Sequence, residues 1–283
     1  MVDQMKPDKI TVITVCYNAC ETIESTIQSV LSQDYPDLEY IIVDGSSTDG
    51  TMEIIARYRD RIDRIISEKD EGIYDAMDKG IAAATGEWIH FRNAGDRFLA
   101  PHTLSAFFEA PVSQDVQIVH GDCIYTNEWG YRYMTPGILR QDHHHGMPFL
   151  HPATFVRTAY HKEHLFDRSL RSSGDYLFAY ESCEEGVIWE YRPVPVALFP
   201  TGGFAMTQLR QTYREDCRIQ GVDRTVAGRC KMRLGEGVIA AKTAALSLSG
   251  KIGFLRRLRI RDLRSEGWQD LPVPAELYNP AAL

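Results

Sequence analysis

A short polar loop, Asn93-Ala94-Gly95-Asp96, is the first candidate for chemistry in this chain of 283 residues. It lies just after Trp88–Phe91, a short apolar run that predicts a buried β-strand. Open α/β sheets place their ligands beyond the carboxyl ends of the strands. A carboxylate at such a place suits Mg²⁺ or Mn²⁺, which prefer oxygen ligands. The loop therefore predicts a metal and phosphate site, with the alternative that Asp96 only forms or caps a turn.

The elements that would position this loop alternate between strands and helices. Four strands are predicted, with helical patterns between them, at Ile10–Val15, Leu38–Val43, Ile62–Ser67 and Trp88–Phe91. This alternation is typical of an α/β doubly wound sheet, in which the polar loops after the first, second and fourth strands converge on one edge. No glycine-rich phosphate fingerprint follows any strand, which argues against a dinucleotide-binding protein or a P-loop NTPase.

Three further patterns make structural predictions. Asn18, with Glu21 three residues later, predicts a capped start for the first helix. Val116–His120 predicts a strand that ends before Gly121-Asp122, and the proline-broken run Val187–Phe199 predicts an edge strand. The composition changes near residue 205. We therefore predict one domain over residues 1–205 and a helical extension over residues 206–283.

Composition limits the class of protein. The chain is 44% hydrophobic and 25% charged, which is ordinary for a globular enzyme, and its net charge of −8 gives no general attraction to nucleic acid. Six dispersed cysteines without a C-x-x-C pair predict reduced thiols rather than a zinc site or disulfides. The polar N-terminus has no signal-peptide pattern, and no apolar run is long enough to span a membrane, so a cytoplasmic protein is expected.

The segment Lys251–Arg264 is the one strongly basic stretch. It carries six Lys or Arg residues against one acid, and apolar residues alternate with them at helical spacing. Two interpretations stay open: an interfacial helix on anionic lipid at the inner face of the cell membrane, or a basic face that packs on the domain or on a second copy in a homodimer. The histidine run His143–His145 has no spaced partner and does not predict a metal site.

Seven motifs in order carry a resemblance to a known family. They are TVCYNA (residues 14–19), VDGSSTDGT (43–51), DEGIYDAMDKGIAAATGEW (70–88), NAGD (93–96), IVHGD (118–122), MPFLHPATF (147–155) and GDYLF (174–178). Over about residues 10 to 205 the chain resembles inverting GT-A glycosyltransferases of family 2, in the branch that builds bacterial polysaccharide or glycolipid on lipid-linked acceptors. The chain departs from the usual motifs where Asn93 and Gly95 replace acids of the metal loop and Gly45 replaces the second acid after the second strand.

The resemblance implies a GT-A fold, a Rossmann-like mixed sheet flanked by helices, and a nucleoside diphosphate sugar as donor. It also makes residues 1–205 the glycosyltransferase domain, with a donor-binding half over about residues 1–100 and an acceptor half over about residues 101–205. A divalent cation, Mn²⁺ or Mg²⁺ on Asp96, would neutralise the departing diphosphate. The residues implied for donor binding are Val15, Tyr17, Asn18, Asp44, Asp70, Tyr74, Asp75, Asn93, Ala94, Gly95 and His151. For several of them a structural role is the alternative: Tyr17 in the core, Asn18, Asp44, Asp70 and Asp75 as caps or helix-start acids, and His151 in a packed loop.

Asp175 matches the position of the general base in this family, and its alternative role is to cap the helix that follows Gly174. In an inverting transfer one carboxylate takes the proton of the acceptor hydroxyl, and a single displacement needs no enzyme nucleophile. The expected function is transfer of a sugar, with inversion, to a saccharide or lipid-linked saccharide. A sugar-nucleotide-binding subunit with little activity of its own is the alternative. Asp122 is expected to hold the metal loop in place.

Overall fold

The computed structural model describes residues 7–128, 130–136, 147–201, 208–249, 268–270 and 273. The histidine run His143–His145, the boundary near residue 205 and the basic segment Lys251–Arg264 lie outside this described part. The strands are β1 Ile10–Cys16, β2 Leu38–Asp44, β3 Arg64–Ser67, β4 Trp88–Phe91, β5 Arg97–Phe98, β6 Ile118–Asn127, β7 Gly130–Met134, β8 Thr154–Arg157 and β9 Trp189–Pro200. The α-helices are α1 Ile23–Leu31, α2 Thr51–Ala56, α3 Ile73–Ala83, α4 Thr103–Phe107, α5 Thr158–Glu163, α6 Gly174–Glu184, α7 Leu209–Ile219 and α8 Val226–Ser249.

The nine described strands form one mixed sheet in the order β3-β2-β1-β4-β8-β6-β9-β5, with β7 paired to β6. The first four strands in this order are parallel, as the alternating sequence pattern predicts. Strand β8 then runs antiparallel to both β4 and β6. The parallel half brings the loops after β1, β2 and β4 to one edge, where the candidate site lies.

Both faces of the central strand β1 are buried. Ile10 and Val12 pack into one hydrophobic cluster, and Ile13 and Val15 pack into the cluster on the opposite face. Successive side chains of a strand point to opposite faces, so a β-branched run without polar alternation predicts a strand covered on both sides. At Gly80 of α3, an added Cβ would lie 2.5 Å from Ile13 Cγ2, so glycine lets this helix approach the sheet closely.

The predicted start of the first helix is wrong. Helix α1 begins at Ile23 rather than after Asn18, and its N-cap residue Thr22 makes no side-chain capping hydrogen bond. Asn18 has a φ of 46°, in the left-handed region that asparagine tolerates. Its Oδ1 accepts a hydrogen bond from the Thr48 N–H at 2.9 Å, and its own N–H donates to Ser47 Oγ at 2.8 Å. The side chain therefore joins the first two loops and is not available to cap the helix.

Two strand predictions are also corrected. Strand β6 continues through Gly121-Asp122 to Asn127, because glycine there allows close approach of β9: an added Cβ would lie 2.5 Å from the Val194 carbonyl oxygen. Strand β9 is the next-to-last strand of the sheet, because β5 pairs with its residues Ala197 and Leu198. Its earlier part, which contains Pro193 and Pro195, has β6 as its one partner among the described strands. A register irregularity around Asp122, opposite Pro195, accommodates proline in this ladder.

The extension contributes two described helices, α7 and α8. Arg214 of α7 donates from Nε to Glu236 Oε1 of α8 at 2.8 Å, which ties the two helices together. Helix α7 also contacts the start of α6 through the carboxylate of Glu215. Among the described residues, none of the helices combines the length and apolar character that a membrane crossing requires.

Candidate active site

A cleft of about 1180 Å³ opens at the carboxyl edge of the parallel strands. It is a little larger than the roughly 300–1,000 Å³ of typical small-molecule sites. The predicted site residues that line it are Val15, Tyr17, Asn18, Asp70, Tyr74, Asn93, Ala94, Asp96, His151 and Asp175. Three predicted residues, Asp44, Asp75 and Gly95, are not in its lining. The structure thus brings together residues that lie up to 160 positions apart in the sequence, since Val15 and Asp175 share one cavity.

The loop after β2 is organised by Asp44, which is fully buried. Its Oδ2 accepts hydrogen bonds from the Ser47 N–H at 3.1 Å and from Ser67 Oγ at 2.8 Å. These contacts engage the carboxylate within the protein, while the neighbouring residues Gly45 and Ser46 reach the cleft. Asp44 therefore shapes the loop, and its predicted contact with the base or ribose stays a prediction.

Tyr17 lies at the mouth of the cleft and exposes 66% of its surface. Such exposure of an aromatic ring rules out the alternative that Tyr17 belongs to the core. An exposed ring beside a polar cleft provides a face on which a planar base can stack.

A lysine of α3 binds two acids, Asp70 just before this helix and Asp75 in its first turn. Lys79 Nζ lies 2.6 Å from Asp70 Oδ1 and 3.2 Å from Asp75 Oδ2, and Arg168 Nη1 lies 2.7 Å from Asp75 Oδ1. Burial alone would raise the pKa of Asp75, but the Glu71 N–H, Lys79 and Arg168 outweigh it and lower that pKa. Asp75 is therefore an ionised anchor for the start of α3, whereas Asp70 also faces the cleft.

The loop after β4 presents two oxygen atoms that could bind a cation. Burial raises the pKa of Asp96 to about 7, against the opposing influence of the Arg92 charge. The buried Oδ1 of Asn93 has no hydrogen-bond partner among the described residues. No group of three His, Cys, Asp or Glu side chains in the described part could hold a metal. One carboxylate and one amide oxygen nevertheless fit Mg²⁺ or Mn²⁺, which take further oxygen ligands from phosphate and water.

Arg92, between β4 and this loop, is a residue that the motifs did not single out. Its side chain is fully buried, with Nη2 2.7 Å from His90 Nε2 and the guanidinium 4.1 Å from the centre of the Phe98 ring. Burial, and then the Arg92 charge, lower the pKa of His90, so His90 is neutral; its Nδ1–H donates to the Thr154 carbonyl at 2.8 Å. A buried cation therefore lies beneath the acidic loop. An arginine at the end of an otherwise apolar strand is the sequence signal that marks it.

Asp175 is the second residue of α6, and Ser173 occupies the N-cap position. Asp175 is therefore not the N-cap residue, although it accepts a hydrogen bond from an N–H of the first turn. Asp175 Oδ1 accepts hydrogen bonds from Tyr74 Oη at 3.3 Å and from the Tyr176 N–H at 3.0 Å. Burial raises the pKa of Asp175 to about 6 despite these hydrogen bonds. A carboxylate that ionises in this range is suited to take a proton near neutral pH.

His151 lines the cleft and stacks on Phe91, with ring centres 5.7 Å apart. Burial lowers the pKa of His151 to about 4, so the ring is neutral at physiological pH. Asp122 lies elsewhere: its carboxylate accepts hydrogen bonds from Tyr133 Oη at 2.6 Å and Tyr191 Oη at 2.9 Å. It therefore joins β6 to β7 and β9, rather than holding the metal loop as expected.

A parallel half-sheet with a ligand-sized cleft at its carboxyl edge is typical of α/β proteins that bind nucleotides. The family model described as "Glycosyl transferase family 2" matches residues 11–168. The chain belongs to this family of glycosyltransferase enzymes.

Named relatives agree with this assignment. The chain is 31% identical over 177 residues to the glycosyltransferase EpsE of Bacillus subtilis, an alignment that covers 58% of this chain and 61% of EpsE. It is 33% identical over 135 residues to a PGL/p-HBAD biosynthesis glycosyltransferase of Mycobacterium bovis, covering 44% and 52% of the two chains. The chain thus spans less than two thirds of the length of each of these relatives.

Solved structures confirm the GT-A fold. S. aureus TarS (residues 1–349) in complex with UDP superposes with a TM-score of 0.59 at 20% identity, over 76% of this chain and 64% of that one. The mannosyltransferase PcManGT of Pyrobaculum calidifontis, in complex with GDP-Man and Mn²⁺, superposes with a TM-score of 0.60 at 19% identity, over 90% and 84%.

Proposed function

We propose that this chain transfers a sugar, with inversion, from a nucleoside diphosphate sugar to a hydroxyl of a saccharide or lipid-linked saccharide acceptor. The observation that carries the proposal is the joint presence of Asp175 and Asp96 in one cleft with Tyr17 and Asn18. Asp175 would take the proton of the acceptor hydroxyl, and Asp96 would bind the cation that neutralises the diphosphate. The loops that carry Tyr17 and Asn18 would bind the nucleoside.

The donor class is supported by the neighbouring folds. TarS structures contain UDP or UDP-GlcNAc, and PcManGT contains GDP-Man and Mn²⁺. In this chain Asp96 and the unpartnered Oδ1 of Asn93 would hold a divalent cation, which neutralises negative charge on the departing diphosphate when it is bound. Arg92, buried beneath the same loop, adds fixed positive charge on that side of the cleft.

The chemical step is a single displacement. The acceptor oxygen forms a bond to the anomeric carbon while the bond from that carbon to the diphosphate oxygen breaks, and the diphosphate leaves with the electron pair. The acceptor proton passes to Asp175. The hydroxyl of Tyr74 donates to Asp175 Oδ1, which orients the carboxylate. His151 is neutral and can donate or accept a hydrogen bond on the same wall of the cleft.

Release of nucleoside diphosphate from UDP-, GDP- and dTDP-sugars, with Mn²⁺ and a panel of saccharide and lipid-linked acceptors, tests the proposal. We expect turnover with one donor class and a product whose anomeric configuration, read by NMR, is opposite to that of the donor. Asp96→Asn should lower the Mn²⁺-stimulated rate by about 10²-fold, because it removes an anionic ligand to the cation. Removal of the cation with a chelator should have a similar effect on the unmodified protein.

Two outcomes would overturn the proposal. Retention of the anomeric configuration would exclude a single displacement. Donor binding without nucleoside diphosphate release on any acceptor would favour the alternative of a sugar-nucleotide-binding subunit.

A further inference from the structure

A buried carboxylate of the extension contacts the segment that precedes the candidate base. Glu215, on α7, is 1% exposed. Its Oε1 accepts the Arg171 N–H at 3.0 Å, and its Oε2 accepts the Ser172 and Ser173 N–H groups at 2.9 and 3.0 Å. Gln211 Nε2 also donates to Oε1 at 2.6 Å. In the described part of the chain no lysine or arginine forms an ion pair with Glu215, so amide groups alone compensate its charge.

These hydrogen bonds tie the backbone that leads into α6 to another helix. Helix α6 begins at Gly174 and has no side-chain capping hydrogen bond of its own from Ser173. The first N–H groups at a helix start lack partners within the helix and favour negative charge. Glu215 satisfies the N–H groups just ahead of that start, and hydrogen bonds from N–H groups to a carboxylate are stronger than those between neutral groups. The backbone of residues 171–173 is therefore held by α7.

Residues on both sides of Ser173 face the cleft. Arg171 and Ser172 line it on one side of the N-cap residue, and Asp175 lines it two residues beyond. Two further contacts join the same helices: Ser172 Oγ lies 2.7 Å from Thr212 Oγ1, and Gln220 Nε2 donates to Tyr176 Oη at 3.0 Å. A displacement of α7 would move the backbone that carries Asp175.

We propose that Glu215 is a positioning residue for the transfer reaction, which aims Asp175 at the acceptor hydroxyl by fixing the backbone of residues 171–173. The inference rests on the proposed role of Asp175 as general base. It makes helix α7 part of the active site, although α7 lies beyond residues 11–168, which the family model matches. Loss of the carboxylate slows the chemical step and leaves the donor loops after β1 and β4 unchanged.

The charge of Glu215 supplies a readout that a purely structural role would not move. In the described part of the chain, the ionisable groups that interact with Asp175 include Tyr74 of α3, Tyr125 of β6, and Glu215 and Asp216 of α7. Arg171 lines the same cleft. Burial is the largest effect on the pKa of Asp175, hydrogen bonds from Tyr176 N–H and the Tyr74 hydroxyl oppose it, and the negative charge of Glu215 raises the pKa by a smaller amount than any of these. Neutralising Glu215 should therefore move the acidic limb of the pH profile of kcat to lower pH.

The experiment compares Glu215→Gln, Glu215→Asp and the control Glu236→Gln in the full chain. Glu236 is a matched glutamate of the extension that binds Arg214 and has no contact with residues 171–173. The amide of Glu215→Gln offers one acceptor oxygen for three N–H groups, so kcat should fall by about 10- to 100-fold, as expected for a misplaced catalytic group, with donor KM within about twofold of wild type. Glu215→Asp keeps the charge, so the acidic limb of its kcat–pH profile should match the wild type. Its shorter side chain should still lower kcat. Glu236→Gln should retain kcat.

The inference would be overturned if Glu215→Gln had a kcat within twofold of the wild-type value and the acidic limb of its kcat–pH profile did not move. If Glu215→Gln does not fold, Glu215→Asp decides by the same criterion for kcat. The Asp175→Asn variant, measured in the same assay, distinguishes failure of the proposed function from failure of the positioning role of Glu215. Its full activity would refute the proposed function itself, whereas its inactivity beside an active Glu215→Gln would refute only the positioning role.

Discussion

Replacement of Asp175 by asparagine should abolish transfer and at the same time stabilise the fold. The amide has nearly the same shape and can still accept the Tyr74 hydrogen bond, but it cannot take a proton from the acceptor. General-base catalysis typically contributes about 10²–10⁴-fold to a rate, so kcat should fall by that factor. Donor affinity should change little, because Tyr17, Asn18 and Asp96 lie on other loops of the cleft.

The stability gain follows from the raised pKa of Asp175. Its pKa is about 6 in the folded protein and about 3.9 in an unfolded chain, a difference of about two units. Between about pH 4 and 6 the folded state keeps a proton that the unfolded state releases, so the wild-type free energy of unfolding falls as the pH rises through this window. The full loss in the free energy of unfolding is present above pH 6. It is at most about 3 kcal/mol, because each pKa unit corresponds to 1.36 kcal/mol.

Urea unfolding at several pH values, together with a transfer assay, checks both effects. Asp175→Asn should be more stable than wild type by on the order of 1–3 kcal/mol near pH 8, and the difference should vanish near pH 3, where both states of the wild-type carboxyl are protonated. Asp60→Asn, at an exposed position outside the cleft, serves as the control for removal of one acid and should retain activity. The wild-type kcat should itself rise with pH through about pH 6, as Asp175 ionises.

Two results would refute this reasoning. If the Asp175→Asn variant kept more than a tenth of the wild-type kcat, Asp175 would not be the base. A stability difference that is the same at low and high pH would show that the change comes from packing rather than from a buried charge.

Two further predictions concern the donor loop and the packing of α3. Tyr17→Ala should raise donor KM by about 10-fold with kcat nearly unchanged, because base stacking on an aromatic ring is worth about 1–3 kcal/mol. Tyr17→Phe keeps the ring and should retain the wild-type KM. Equal donor KM values for the wild type and both variants would exclude stacking. Gly80→Ala should lower the free energy of unfolding by about 1–3 kcal/mol, since its Cβ would lie 2.5 Å from Ile13 Cγ2. Gly237→Ala in α8, with no atom within 4 Å of the added Cβ, should instead be neutral or stabilising by up to about 1 kcal/mol, so an equal loss in both would contradict the packing argument.

The parallel half of the fold could be predicted from local pattern. Trp88–Phe91 is a strand with the predicted bounds, and β1 differs from its prediction only by Cys16. Strands buried on both faces leave a continuous apolar run in the sequence, and the turn residues between them mark where each loop begins. The domain division near residue 205, the homodimer and the membrane contact of Lys251–Arg264 stay predictions.

Predictions failed where a distant partner changes the role of a local signal. Asn18 carries the residue type of a helix cap, but its amide oxygen is occupied by Thr48 from the next loop. Val187–Phe199 has the prolines of an edge strand, yet the two-residue strand β5 pairs with Ala197 and Leu198 near its end. Neither partner is near in sequence, so no local pattern could indicate the outcome.

The sequence by itself determined the fold family, the acidic loop that ends in Asp96, and Asp175 as the candidate base, because these depend on residue types in a fixed order. Only the tertiary structure decided which of the acids reach the cleft. Asp44 and Asp75 are engaged by internal donors and cations, whereas Asp96 and Asp175 face the cavity with raised pKa values. Burial and electrostatic environment depend on the whole set of neighbours, and for Asp175 that set includes Glu215, 40 residues further along the chain.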